Sequence, residues 1–352
     1  MTVRKISFYV LCLVISFSSC KKDDSDAEVT QIRDREEQQK TDMMTIVEYL
    51  STHYYNKSTF EGNANPKISD LVITKITNEV ISIDADSLLI NAVGAAKKTD
   101  FAETEYEYYV LHLNQGGGAL SPSFADQVSV LYEGFLMNDD QTVFDSAINP
   151  VPFNLVGNGD DVTGVITGWN RVLPEFNIAE SYVSNGDGTD SFINAGVGVM
   201  FLPSGLAYFS GSPSTLIPAY SPLAFKFELL GMVEIDFDND GIPNYLEELT
   251  GDGQYVVYTD ASLQDDDTDS DGRPNYVDTD DDGDRILTKN ETGIVVSTIN
   301  KPTLNEVKLY ELLSTQKLLN NIVKELDGTY TGTVWTFKDT DTDGIPDYLD
   351  AN

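Results

Sequence analysis

The chain has 352 residues, 41% of them hydrophobic, and a formal net charge of −36 at neutral pH. That hydrophobic share supports a folded core, and the length allows two domains. The charge excludes the basic surface that nucleic-acid phosphates require, and it opposes electrostatic docking to anionic lipid.

The first element in chain order reads as an export leader. Arg4 and Lys5 precede an apolar run from Ile6 to Phe17, which is short for a bilayer span. The next residues are Phe17-Ser18-Ser19-Cys20. Small residues directly before a cysteine resemble a bacterial lipoprotein cleavage site, at which residues 1–19 would leave and Cys20 would be lipidated. An ordinary signal peptide or an N-terminal anchor is the alternative. Cys12 falls in the removed stretch, so Cys20 would be the sole mature cysteine and no disulfide would form. Lys21-Lys22-Asp23-Asp24 resembles the charged tag that sends some lipoproteins to the outer face of the outer membrane. The expectation is a cell-envelope protein, anchored through its N-terminal lipid to the outer membrane, on its periplasmic or its outward face.

Residues 20–120 form the next unit. A polar tether over 21–41 gives way to Met43, Ile46, Val47, Leu50 and Tyr54, whose spacing predicts one amphipathic helix. His53 reads as a polar edge residue. A strand is expected from Glu105 to Leu113, with His112 inside it, and Gly116-Gly117-Gly118 marks a boundary. No Lys-Ser or Lys-Thr follows these glycines, which excludes a nucleotide phosphate loop.

Residues 121–233 are rich in short strands and turns. In order they carry Val128 to Leu136 with Tyr132, then Phe144-Asp145-Ser146, Pro152-Phe153 and Val165-Ile166-Thr-Gly168-Trp169. Leu206-Ala207-Tyr208, Leu216-Ile217-Pro218 and Phe225-Lys-Phe227 complete the set. Taken in order, these resemble the FKBP-type peptidyl-prolyl isomerases over Asp126 to Met232. The resemblance implies a curved antiparallel sheet around a short helix that starts near Trp169. It also implies a pocket with walls of Tyr132, Phe144, Phe153 and Phe225, a floor of Trp169, and sides of Val165, Ile166 and Ile217. The Ile166 N–H and the Tyr208 hydroxyl would fix substrate carbonyls, and Asp145 would orient or polarise the peptide. No cofactor is needed for such chemistry. The sequence departs from the family at Phe209 and Gly164, and it lacks an arginine after Phe144-Asp145-Ser146. An insertion over 177–196 carries Asn-Gly and Asp-Gly turn signals for an extra hairpin.

Residues 234–284 are the acidic part: between Glu234 and Asp284 stand eighteen acidic residues and one basic, Arg273. Four copies of Asp-x-Asp-x-Asp-Gly align, at Asp236/Asp238/Asp240, Asp267/Asp269/Asp271, Asp278/Asp280/Asp282 and, in the terminal repeat 339–352, Asp339/Asp341/Asp343. Carboxylates at positions 1, 3 and 5 with glycine at 6 are the ligand spacing of a calcium loop. Position 12 is Glu247, Asp278 or Asp350, but Lys289 in the third copy, where Glu291 offers an alternative. Asn244, Asn275 and Asp347, after proline in three copies, join the ligand candidates. Proline there lacks the N–H that paired EF-hands share, and the pattern resembles thrombospondin type 3-like repeats. Structural Ca2+ is therefore expected, with a stalk or cap as the outcome. Between them, residues 285–338 carry Leu309, Leu312, Leu313, Leu319, Ile322, Val323 and Leu326, whose spacing predicts a second amphipathic helix.

The expected whole is an α+β chain: an FKBP-like sheet around a short helix, then calcium loops with little regular structure and one amphipathic helix. Its expected partners are proline-containing polypeptide clients, and the membrane through its lipid. Two functions fit, an envelope-anchored isomerase or a non-catalytic chaperone or scaffold of the same fold.

Overall fold

The computed structural model describes residues 32–77, 82–259, 263–293, 295–303, 306–307, 317–318 and 322–351. The leader and Cys20 lie outside the described residues. Among those described, no helix is long and apolar enough to cross a membrane.

Helix α1 runs Arg35–Thr52. Asp34 caps it by accepting from the Glu37 N–H at 2.9 Å, and Glu36 and Glu37 complement the helix dipole in the first turn. Residues 35–41, expected in a tether, are thus helical. Its buried face is Gln38, Asp42, Ile46, Tyr49 and Leu50. The helix stops at His53, where the backbone turns extended to start β1 (His53–Tyr55), paired antiparallel with β2 (Ile73–Lys75). His53 is not an edge residue: it is buried, with its ring stacked on Tyr49 at 3.9 Å. The short α2 (Leu89–Ala92) follows.

Next in order are β3 (Lys97–Phe101), β4 (Thr104–Asn114), β5 (Gln127–Leu136) and β6 (Val143–Asn154). After them come α3 (Thr167–Val172), β7 (Ser181–Ser184), β8 (Asp190–Ile193), β9 (Gly196–Leu202) and β10 (Leu223–Val233). Six of these strands make one antiparallel sheet in the order β3-β4-β9-β10-β5-β6. The chain upstream of residue 121 therefore supplies two strands of this sheet, and Gly116 to Gly118 do not divide it. Those glycines serve a close approach: a Cβ on Gly116 would stand 2.2 Å from the Asn177 carbonyl oxygen. The inserted hairpin is β7–β8.

Both faces of the sheet are covered, which explains why every residue of β9 is buried and why it reads as an unbroken apolar run. Alternation sends Met200, Leu202, Phe225, Phe227 and Leu229 toward Trp169, Val172 and Leu173 of the α3 segment. It sends Val199, Phe201, Leu111 and Phe135 toward Ile46, Tyr49 and Leu50 of α1.

A second sheet holds β11 (Val295–Lys301), β12 (Lys317–Leu318), β13 (Val323–Lys324) and β14 (Tyr330–Thr336) in the order β11-β14-β12, with β13 also on β14. This corrects the helix expected to reach Leu326; Leu309, Leu312, Leu313 and Leu319 lie outside the described residues. Ile322 is buried, Val323 begins a strand, and Leu326 is fully exposed in a turn. The turn residues Asp327-Gly328 and the β-branched pair before them favour the hairpin over a helix.

Candidate functional site

The aromatic cluster on the α3 side is built from four segments. Trp169, in the first turn of α3, is 3% exposed, and its ring lies 5.2 Å from Phe153 on β6, 5.2 Å from Phe225 on β10 and 5.9 Å from Tyr132 on β5. Phe144 meets Phe225 edge-on at 5.4 Å. Ile217 is buried in the same cluster, with Val165 and Ile166 packed against it. Glycine at 134 makes room for this, because a Cβ there would stand 2.5 Å from the Phe144 ring.

The polar rim has a definite geometry. The Tyr132 hydroxyl donates to Asp145 Oδ2 at 2.6 Å, and the Ser146 N–H donates to Oδ1 at 2.9 Å. Burial, then the Asp145 carboxylate, pushes the Tyr132 phenol well above its ordinary range. Tyr208, 38% exposed, is raised by the same two causes, so it stands within electrostatic reach of Asp145. Its hydroxyl has no hydrogen-bond partner among the described residues, and the Ile166 N–H has no backbone acceptor among them. Of the ten residues named from the sequence, eight pack in one hydrophobic cluster, Asp145 joins it through Tyr132, and Tyr208 stands within electrostatic reach of Asp145.

Sequence reasoning missed what holds the rim. Asp42 on α1 is 1% exposed, and its Oδ2 accepts from the Ser204 N–H at 2.7 Å and hydroxyl at 2.6 Å. That anchors the turn four residues before Tyr208. The only sequence signal was an acid on the apolar side of a helix. Phe209, which departs from the family, adopts φ +47°, a conformation that favours glycine. Its ring packs on Tyr220 at 5.2 Å and under the Arg35 guanidinium at 4.2 Å, away from the Trp169 cluster. A cleft of about 540 Å³ on the opposite face of β5 and β10 is lined by Lys67, Phe192, Lys226 and Glu228. There Lys67 pairs with Glu228 at 3.4 Å and Lys226 with Glu133 at 2.5 Å.

The acidic segment folds as four equivalent loops. In each, position 9 closes the loop by accepting from the N–H of position 2: Asn244 from Phe237, Asn275 from Thr268, Thr288 from Asp281 and Asp347 from Thr340. In each, the first carboxylate accepts from the N–H of position 6: Asp236 from Gly241, Asp267 from Gly272, Asp280 from Arg285 and Asp339 from Gly344. Positive φ recurs at position 4 (Asn239, Ser270, Gly283, Thr342) and at position 6 (Gly241, Gly272, Arg285, Gly344).

The third loop starts at Asp280, not Asp278, and its carboxylates are Asp280, Asp282 and Asp284, with Glu291 at position 12. Gly283 sits at position 4, and Arg285 takes the left-handed position 6 at φ +82°. Asp278 stays with the second loop, beside Asp269. Asn244, Asn275 and Asp347 spend side-chain oxygens on loop closure rather than facing the carboxylates.

The carboxylates converge in groups that suit a hard cation. Asp267/Asp269/Asp271, Asp280/Asp282/Asp284 and Asp339/Asp341/Asp343 each bring ligand oxygens within 4.8 Å of one another, as do Asp238, Asp240, Glu247 and Asp281. Asp236 flanks the last group and Asp350 lies near Asp282. Burial and then neighbouring carboxylates push Glu291 up to about 7 and Asp238 up to about 8. Within the segment Tyr255 stacks on Tyr276 at 3.8 Å, and the Tyr276 hydroxyl donates to the Gly157 carbonyl, in the loop after β6, at 2.9 Å.

Residues 237–310 match the family described as BamM C-terminal. No curated protein matches the chain. Among solved structures, a peptidyl-prolyl cis-trans isomerase from Pseudomonas syringae pv. tomato is similar at 18% identity and TM-score 0.31, over 58% of this chain and 99% of that one. FkpA from Escherichia coli is similar at 28% identity and TM-score 0.27, over 36% of this chain and 48% of its own length.

Proposed function

We propose that the aromatic hollow is a peptidyl-prolyl cis-trans isomerase site of FKBP type, acting on exported polypeptides at the cell envelope. One observation carries this: Tyr132 and Asp145 are locked at 2.6 Å beside the Trp169 ring cluster, while the Tyr208 hydroxyl has no partner among the described residues. Rotation about an X–Pro bond must break amide resonance, a barrier of ~18–20 kcal/mol. It needs no nucleophile and no metal. The twisted amide has lost its charge separation, so an apolar hollow disfavours it less than the planar ground state. Trp169, Phe225 and Phe153 supply that surface for the proline ring. Tyr208 and the Ile166 N–H hold the flanking carbonyls, and Asp145 orients the chain at the rim. The envelope location carries over from the leader-like N-terminus.

A protease-coupled isomerisation assay tests this. Losing one neutral hydrogen bond in Tyr208→Phe is expected to lower kcat/KM about threefold to tenfold. Losing a charged partner in Asp145→Val is expected to lower it about 10- to 100-fold. Because Tyr132 and Tyr208 are both raised above the ordinary phenol value of 10.0, they stay protonated donors, and the rate should be flat between about pH 6 and 9. A rate that follows a phenol titration in that window would reject the assignment. A second reading, peptide binding without turnover, is favoured by Asp145, which is exposed and has no cationic partner among the described residues. Binding without acceleration would select it.

The loops are proposed to take hard divalent cations of the calcium class in a structural role. All their donors are oxygens, and extracellular loops of this kind bind at about 10⁻⁴–10⁻³ M. Asp267, Asp269, Asp271 and Asp278 would serve the second loop; Asp339, Asp341, Asp343 and Asp350 would serve the fourth.

A further inference from the structure

We propose that Asp238, Asp240, Glu247 and Asp281 form one buried divalent-cation site that clamps the first loop to the third, with Asp281 as a donor from outside the loop it completes. This rests on the reading that the loops bind cations, and it adds a ligand and a linkage that the loop pattern does not contain.

The four residues bring carboxylate oxygens within 4.8 Å of one another. Glu247 is 0% exposed and Asp281 2%, and neither oxygen of either makes a hydrogen bond among the described residues. One oxygen each of Asp238 and Asp240 is likewise buried and unpartnered. No lysine or arginine among the described residues pairs with any of them. A buried carboxylate without a donor or counter-charge is costly, and four together repel. A cation at their centre reverses the sign of the interaction. With oxygen donors alone, and no imidazole or thiolate, the site selects a hard ion over zinc or copper.

Asp281 occupies position 2 of the third loop. Its counterparts are Phe237, Thr268 and Thr340, so no other loop offers a carboxylate there. The Thr288 hydroxyl fixes its backbone N–H at 3.0 Å, which leaves the side chain for the first loop. The fourth loop closes the region: Tyr348 is 4% exposed, packs with Ile242 and Leu246 of the first loop, and senses Glu247 and Asp281. Occupancy would therefore join segments far apart in sequence into one body.

The test compares the purified chain with Asp281→Asn and Asp282→Asn, by Ca2+ equilibrium dialysis and by hydrogen exchange with and without Ca2+. Asn keeps the shape of Asp281 and removes the charge. The expected result for Asp281→Asn is one site lost or weakened at least about tenfold. Amides of Asp236 to Glu247, which carry no substitution, should lose their Ca2+-dependent protection. Asp282→Asn should affect the third loop and leave the first protected, which separates the clamp from general loss of structure. Parental stoichiometry and first-loop protection in Asp281→Asn would overturn the clamp. Absence of Ca2+ uptake by the parent would overturn the loop reading beneath it, a distinguishable outcome.

Discussion

Chelation of divalent cations is expected to open the segment from Ile235 to Leu349 to protease while the six-stranded sheet stays folded. Asp240, Glu247 and Asp281 are at most 3% exposed, and one oxygen of Asp240 and both of Glu247 and Asp281 have no hydrogen-bond donor among the described residues. The loops contribute few apolar contacts of their own; Ile242, Leu246 and Tyr348 form their main buried cluster. A cation at about a hundred times its dissociation constant adds about 2.7 kcal/mol per site, which for several sites exceeds what such a small cluster supplies. The first sheet has a separate core on each face and no such dependence. The measurement is limited proteolysis with calcium or chelator. Cleavage of the acidic segment at equal rates in both would contradict cation binding.

The second large effect concerns α1. Leu50→Ala is expected to cost about 2–5 kcal/mol and to shift the unfolding of the whole sheet rather than fray the helix alone. Leu50 is 0% exposed and packs, with Ile46 and Tyr49, on Phe201 and Val199 of β9. Residues on the other face of β9 and β10, Met200 and Phe225 among them, line the Trp169 core, so the two faces share strands. Native-state hydrogen exchange at Phe225 and Phe227 provides the readout. Unchanged protection there would mean that α1 is an accessory to the sheet.

These two cases show where the sequence was readable. Phe144-Asp145-Ser146, Val165-Ile166 through Trp169, and Leu206-Ala207-Tyr208 are local motifs, and local motifs survive without knowledge of tertiary partners. The hairpin in the insertion was readable for the same reason, through its Asn-Gly and Asp-Gly turns. The place of β3 and β4 was not: glycines at 116 to 118 look like punctuation, yet what requires them is close packing, of Gly116 against Asn177, Gly117 against Asn194 and Gly118 against Ile178. α1 was read too short, because Gln38 and Asp42 are polar residues on its buried face.

The acidic loops were readable as repeats but not in register. Asp278 to Asp284 contains two overlapping Asp-x-Asp-x-Asp series, and Gly283 favoured the first. Backbone geometry decides for the second, since Arg285 accepts the left-handed position while Thr288 replaces the asparagine that closes the first two loops. Asp281 was invisible as a donor because its partners belong to another loop. Asp42 was missed in the same way, since its hydrogen-bonding partner Ser204 is distant in sequence.

Whether the cluster of Trp169, Phe153 and Phe225 speeds X–Pro rotation is read by magnetisation exchange. A proline peptide in excess over the protein shows separate cis and trans signals, which interconvert unaided over about 10–100 s. Exchange cross-peaks are expected within a second when the intact chain is added, abolished or sharply weakened by Asp145→Val. Peptide binding with interconversion still at the unaided rate would contradict it.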